Sequence, residues 1–451
     1  MRALTAWWNA LFGARRFPSL WISNRDKNPP SHATTAGKSS VAKTIAREAD
    51  TSVPLLGARR PLIDQSGGLA GFEFRLPSVV AERLGQKSNN VVIAAHLTAL
   101  LLSTRATIEA GRTALVELPI ALLSRPAVLR AVPSGVWLAI TDADKPSMRT
   151  EYVSQTMAAL KRAGAKLGSV AHPIPGCDFV VLDATNTTTM SLVELVATIR
   201  AARQEVEVVV TGVSDLGDLE LLLNSGIDLA AGVVDTAKTV LERTPMSPRL
   251  QQICRLIHHV VSDEDLVETT RILRSEVELS YQLLRQVNSV AYRQPRPVES
   301  LDHAAMLLGR AGLYKWLTML LLDGGNGRAT SNALREIALS RACLLERLAG
   351  YDNASTTSRS VMFTLGLLSL LDVMMQTSMA DALEKLPLAP VLRAALVEKS
   401  GELRPALELV QALERGDLTR AAELAWPYGG LQLVIAEANA AWVWAAQALR
   451  R

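Results

Sequence analysis

The sequence is poor in the residues that several protein classes are built from. Its three cysteines, Cys177, Cys254 and Cys343, are odd in number and far apart. Neither a disulfide framework nor a zinc cluster is expected from them, and a reducing, cytoplasmic setting is. Aromatic residues make up only 4%, and the eight tryptophans do not alternate with basic residues as a base-stacking platform requires. No apolar run of about 18 residues is uninterrupted, so no transmembrane segment is expected. Gly67-Gly68 and Gly324-Gly325-Asn326-Gly327 lack the Lys-Ser/Thr that completes a phosphate-binding loop, and Gly37-Lys38-Ser39 has His32 where the loop's first glycine belongs. A Gly-x-Ser-x-Gly elbow and a Cys/His nucleophile signature are also missing.

What is present is apolar mass. Hydrophobic residues make up 49% of 451 and charged residues 20%, enough for a large core and too apolar for global disorder. The net charge of +4 suggests nucleic-acid binding until it is located. Residues 1–50 hold eight Lys/Arg against three Asp/Glu, leaving 40 basic and 41 acidic side chains in the other 401. A folded nucleic-acid-binding domain carries its own surplus, so no specific nucleic acid is expected as a partner. The basic part reads as a tail and flexible linker over 1–50. Within it Leu4, Trp7, Trp8, Leu11 and Phe12 share one side of a short helix flanked by Arg2, Arg15 and Arg16. That pattern suits docking on a partner or a membrane surface, with Trp7, Trp8 and Phe12 as the contacts.

From 51 to 245 strand-like and helical runs alternate. Leu62-Ile63-Asp64 and Gly71-Phe72-Glu73-Phe74-Arg75 flank Gln65-Ser66-Gly67-Gly68, which predicts a hairpin with a glycine turn. Further strands are expected at 114–118, 136–141, 166–170, 179–182 and 206–210, with helices at 89–103, 149–163 and 216–223 and an apolar run at 228–234. Seven or eight strands in such repeats favour a closed barrel over an open sheet. After Pro245 amphipathic helices take over, expected at 249–261, 263–287, 300–322, 331–349, 360–376, 379–386, 390–400, 402–414, 418–426 and 431–450. Ser300 and Ser378 stand as N-caps. The fold class is therefore α/β plus all-α.

Several segments resemble known families. Arg60-Pro61-Leu62-Ile63-Asp64 followed by Gly71-Phe72-Glu73-Phe74-Arg75 is similar to the opening of the EAL domain, the TIM-like (β/α) barrel of cyclic di-GMP phosphodiesterases. Three stretches of the helical half resemble the HDOD domain: Leu283-Leu284-Arg285-Gln286-Val287-Asn288-Ser289, Val298–Gly309 and Phe363-Thr364-Leu365-Gly366-Leu367-Leu368-Ser369-Leu370-Leu371-Asp372. The resemblance implies an EAL-type barrel at 51–245 followed by an HDOD domain at 246–451, an architecture of bacterial signalling proteins.

An EAL phosphodiesterase holds two divalent ions on carboxylate and amide oxygens at the carboxyl ends of its strands. The resemblance implies where those ligands belong. Glu73 stands at the signature glutamate, followed by Phe74-Arg75 in place of Ala-Leu. Glu117 replaces an asparagine, Ala139 and Thr141 replace a glutamate site, and Ser169-Val170-Ala171 replaces an Asp-Asp-Phe step. Val181 replaces a lysine, and Thr211 to Ser214 replace Glu-x-Val-Glu. Too few anionic oxygens remain for two cations, so loss of catalysis, no metal and no cofactor are expected. Arg75 is the candidate phosphate contact for residual, weak cyclic di-GMP binding. His172, before Pro173, is expected to be an ordinary loop residue.

In the helical half, Asp372 has no preceding histidine, and His258-His259 leave their helix about 100° apart. Asp302-His303 lies in a first turn where Asp302 favours the helix dipole. HDOD domains as a family lack the catalytic His-Asp set. The expectation is a non-enzymatic cytoplasmic signalling protein whose HDOD half binds a protein partner in an apolar helical groove. The alternative is a surviving, metal-dependent cyclic di-GMP phosphodiesterase.

Overall fold

A computed structural model describes residues 58–75, 90–142, 150–235, 247–261, 266–288, 298–323, 329–351 and 359–449. The tail with Trp7, Trp8 and Phe12 lies outside them, as do Gly37-Lys38-Ser39 and Gly324–Gly327. Eight strands close into a barrel in sequence order: β1 (Ala58–Asp64), β2 (Leu69–Arg75), β3 (Thr113–Leu118), β4 (Trp137–Ile140), β5 (Lys166–Val170), β6 (Phe179–Asp183), β7 (Glu207–Val213) and β8 (Leu229–Gly232). The expected hairpin forms, and β1 runs antiparallel to both its neighbours, β2 and β8; the other pairs are parallel.

Alternation along each strand separates two cores. Leu62, Leu115, Ala139, Phe179, Val181, Val209, Leu229 and Ala231 fill the barrel interior. The opposite faces, with Ile63, Phe74, Val116, Leu138, Val180 and Val208, join the core shared with the helices. At one end of the interior the Trp137 and Phe179 rings meet at 4.9 Å, with Lys166 Nζ 3.7 Å from the Trp137 ring centre.

The outer helices follow apolar spacing. Thr189–Ala202 buries Leu192, Val196 and Ile199, and Thr188 Oγ1 caps it by accepting from the Ser191 amide. This helix is not among those expected above, although its i, i+4, i+7 pattern is an amphipathic signature. Asp215 caps Leu216–Asn224 through the Gly217 and Asp218 amides. Three short helices, Arg105–Glu109, Ile120–Leu123 and Pro126–Ala131, were also not expected.

The carboxy-terminal half is helical among the described residues. Two long helices expected from periodicity are broken. The run expected at 263–287 is Leu266–Ser275 and Val277–Val287, parted at Glu276 (φ −107°, ψ 85°). The run expected at 360–376 is Arg359–Leu368 and Leu371–Met375. The helix Leu301–Asp323 is kinked at Gly309 (φ 65°, ψ 172°). Its Leu301–Leu322 stretch is long and apolar enough to cross a bilayer, and 61% of the window is buried within the fold. Both expected caps form: Ser300 Oγ accepts from the His303 amide, and Ser378 Oγ from that of Asp381.

The helix Ser331–Leu348 is the spine of this half, with 13 of its 18 residues buried. Its fully buried Arg341 grips Glu414 with two hydrogen bonds, 2.9 and 2.5 Å, and donates to Ser369 Oγ at 3.0 Å. Burial alone would lower the Arg341 pKa, but Glu414 outweighs it and the net shift is upward. Barrel and helices meet over a continuous contact. The Gly67 carbonyl in the β1–β2 turn accepts from the Ala333 amide at 3.0 Å, and Thr330 Oγ1 donates to Glu220 at 2.6 Å. Arg112 pairs with Glu336 at 2.5 Å, and the Phe72 and Trp442 rings meet edge-on at 4.8 Å.

Candidate functional site

In a barrel of this kind the carboxyl ends of the parallel strands form one mouth, and β1, running the other way, contributes its first residues there. The β1–β2 register sets Arg60 opposite Glu73, and the β2–β3 register sets Glu73 beside Leu115, two residues before Glu117. The β6–β7 register pairs Asp183 with Thr211. Strand alternation thus turns Arg60, Glu73, Glu117, Thr211 and Asp183 toward one space.

Glu73 is fully buried, and one of its oxygens accepts a hydrogen bond from Arg75 Nε. The Arg75 side chain is 34% exposed, and its terminal nitrogen lies 3.9 Å from Glu117 Oε1. Thr211 Oγ1 donates to the same Glu117 oxygen at 3.4 Å. Burial lowers Arg60, partly offset by Glu73. Burial pulls Arg75 the same way, but Glu73 and Glu117 outweigh it and leave its pKa raised. Glu117 is pushed up to about 7 by burial and by the Glu73 carboxylate, against the pull of Arg75. Two polar atoms, Arg60 Nε and Glu73 Oε2, are buried with no hydrogen-bond partner among the described residues.

The rest of the mouth is apolar. Val181 is 1% exposed within the inner core, Val170 packs against that core, and the β5–β6 register pairs the two. Ala171, following β5, holds a left-handed backbone (φ 72°) and donates its amide to the Val181 carbonyl at 2.8 Å. Gly212 (φ 76°) sits in the irregular stretch of β7 between Val210 and Val213. A Cβ there would lie 2.6 Å from Asp183 Oδ1 and from Thr185 Oγ1, so only glycine lets the strand pass this loop.

Of the residues singled out from sequence, Glu73, Arg75 and Glu117 come together, and Val170 and Val181 line the apolar side. Thr141 and Ser214 are exposed just beyond the ends of β4 and β7. Thr211, not Ser214, is the β7 side chain that reaches Glu117. Sequence reasoning missed Arg60 and Asp183 as members of the cluster. Period-two counting from Leu62 and Val181 would have found both.

The helical half brings the carboxyl end of helix Arg404–Arg415 to this rim. Arg60 donates to the Arg415 carbonyl at 3.5 Å, and Arg415 pairs at 2.8 Å with Asp235, which follows β8. The His258 and His259 rings stand 6.2 Å apart at 82°. Asp302 accepts from Thr270 Oγ1 at 2.6 Å and pairs with Arg274, tying two helices together. Among the described residues no three His, Cys, Asp or Glu side chains converge in an arrangement that could hold a metal ion.

The HDOD domain model matches residues 246–390. The chain is 26% identical over 195 residues to the cyclic di-GMP phosphodiesterase CdgJ of Vibrio cholerae, covering 43% of this chain and 45% of that protein. It is 24% identical over 205 residues to the uncharacterized protein YuxH of Bacillus subtilis, covering 45% of this chain and 50% of that one. The chain thus spans about half the length of these curated relatives. Among solved structures, the EAL domain of Xanthomonas citri FimX in complex with c-diGMP aligns with a TM-score of 0.31 at 16% identity, over 43% of this chain and 91% of that one. The chain is a closed eight-stranded barrel followed by a helical half, in which residues 246–390 match the HDOD domain model.

Proposed function

We propose that this EAL–HDOD chain is a non-catalytic cyclic di-GMP signalling protein. Its barrel mouth serves as a weak dinucleotide sensor or a scaffold, and its HDOD half engages a protein partner. The observation that carries this reading is the guanidinium of Arg75, bonded to Glu73 and facing Glu117. Two-metal phosphodiester hydrolysis needs anionic oxygens held open for cations. Here an arginine supplies the positive charge instead, and Glu117, with a pKa near 7, carries a proton for part of the time at neutral pH. This donor set does not fit a pair of hard dications.

The same arrangement suits a phosphate better than a metal. Arg75 uses Nε on Glu73, which leaves its terminal nitrogens at the partly exposed end of the side chain for an incoming phosphate oxygen. Contacts from Arg60 and Asp235 to Arg415 give a route by which a ligand in the mouth would act on the helical half.

The test uses the purified full chain with cyclic di-GMP and saturating Mg²⁺ or Mn²⁺. The expected outcome is no turnover, with weak binding by calorimetry that Arg75→Ala abolishes. Metal-dependent hydrolysis lost in Glu73→Ala would establish the enzyme reading instead. Absence of any binding heat would leave the scaffold role.

A further inference from the structure

The helical half contains a second concave site, far in sequence from the mouth. A cavity of about 400 Å³ is lined by Gln251, Cys254, Arg255, His258, His259 and Lys385. Five of the six lie on helix Pro248–Val261, where the spacing 251, 255, 258 places Gln251, Arg255 and His258 along one stripe. The opposite face of that helix buries Leu250, Ile253, Leu256, Ile257 and Val260, which anchors the stripe to the core. Lys385 arrives from a different element, just past Met379–Leu383, held by the buried Leu383 and Leu386 on either side. Its ammonium is close enough to Cys254 to pull against the rise that burial imposes on the thiol.

Among the described residues no carboxylate lines this space. Arg255 and Lys385 form no ion pair among the described residues, whereas most arginines of the helical half do. Glu268, which senses His259, is itself engaged by Arg271 at 2.8 Å. Placing the guanidinium of Arg255 and the ammonium of Lys385 on one cavity costs like-charge repulsion, which a multivalent anion would remove. The volume lies in the range of small-molecule sites, and exceeds what a single chloride would use.

We propose that this cavity binds a small anion bearing a diphosphate, with Arg255 forking onto phosphate oxygens and Lys385 as a point charge. Diphosphate chemistry fits because the two permanent cations come from separate elements and can each face one phosphate. The site is independent of the barrel mouth and of its proposed ligand.

Inorganic pyrophosphate is the probe, titrated calorimetrically into the full chain at constant ionic strength. Binding is expected, weakened at least about tenfold in Arg255→Gln/Lys385→Gln, since two charge-assisted contacts are lost. Both side chains are exposed, so the melting temperature of the ligand-free variant should match the parent. A nucleoside diphosphate arm separates the sources: tighter binding than pyrophosphate assigns the site to a nucleotide, and equal binding assigns it to the free anion. No binding, equal binding by parent and double variant, or the same response to sodium chloride would overturn the proposal.

Discussion

At the residue scale the barrel mouth is a problem in burying charge. Glu73 is fully buried; its hydrogen-bonded compensation is Arg75, two residues along the same strand, and Arg60 opposite it adds positive charge. Arg75→Met should therefore destabilise the barrel by about 2 kcal/mol, less than a fully buried pair would because Arg75 keeps contact with water. Adding Glu73→Gln should recover most of that loss, and urea unfolding of the single and double variants measures both. Glu117 makes a prediction of opposite sign. Its folded pKa, about 7, lies above the ordinary value of 4.5, so the folded state holds the proton more tightly. Its contribution is favourable below the unfolded value, and stability falls as pH rises from 4.5 to about 7. Glu117→Gln should thus stabilise the protein by about 1–3 kcal/mol near pH 8, with the difference vanishing in acid. Unfolding free energies of parent and variant across pH check it.

At the element scale, backbone irregularities shape the site more than strand propensity does. The β7 irregularity around Gly212 lets Asp183 and Thr185 approach the strand, and Asp183 Oδ1 in turn accepts from the Thr185 amide at 3.0 Å. Gly212→Ala should cost about 2 kcal/mol or more, because the new methyl meets two oxygens and the left-handed backbone is strained. An unchanged urea midpoint would refute this. Periodicity located nearly every strand to within two or three residues, since alternation and β-branched runs are local properties. It failed where helices break. Nothing in the apolar pattern of 266–287 marks Glu276, and the break there lets two helices pack separately against the helix Leu301–Asp323.

At the scale of the whole molecule, the hairpin turn is a point of contact between the halves. A Cβ on Gly67 would lie 1.5 Å from the Ala329 carbonyl oxygen, and Gly67 itself has φ 72°. Gly67→Ala should force the turn away from helix Ser331–Leu348 and uncouple barrel from helices. Calorimetry should then show two melting transitions where the parent shows one; a single shared transition in the variant would contradict it. The fold was legible in the sequence because hydrophobic alternation of period two and then of period 3.6 follows from which side of each element must leave water. The retained Glu73 and the unusual Arg75 were legible for the same reason, as neighbours on one strand. Contacts between distant elements and across the halves were the work of the tertiary structure. Arg60 faces Glu73 only through the antiparallel register of β1, Arg415 reaches Asp235 only after 180 residues of chain have folded back, and Lys385 meets Arg255 only across two elements. Charge compensation depends on distance in space, and sequence spacing carries no record of it once the partners lie on different elements.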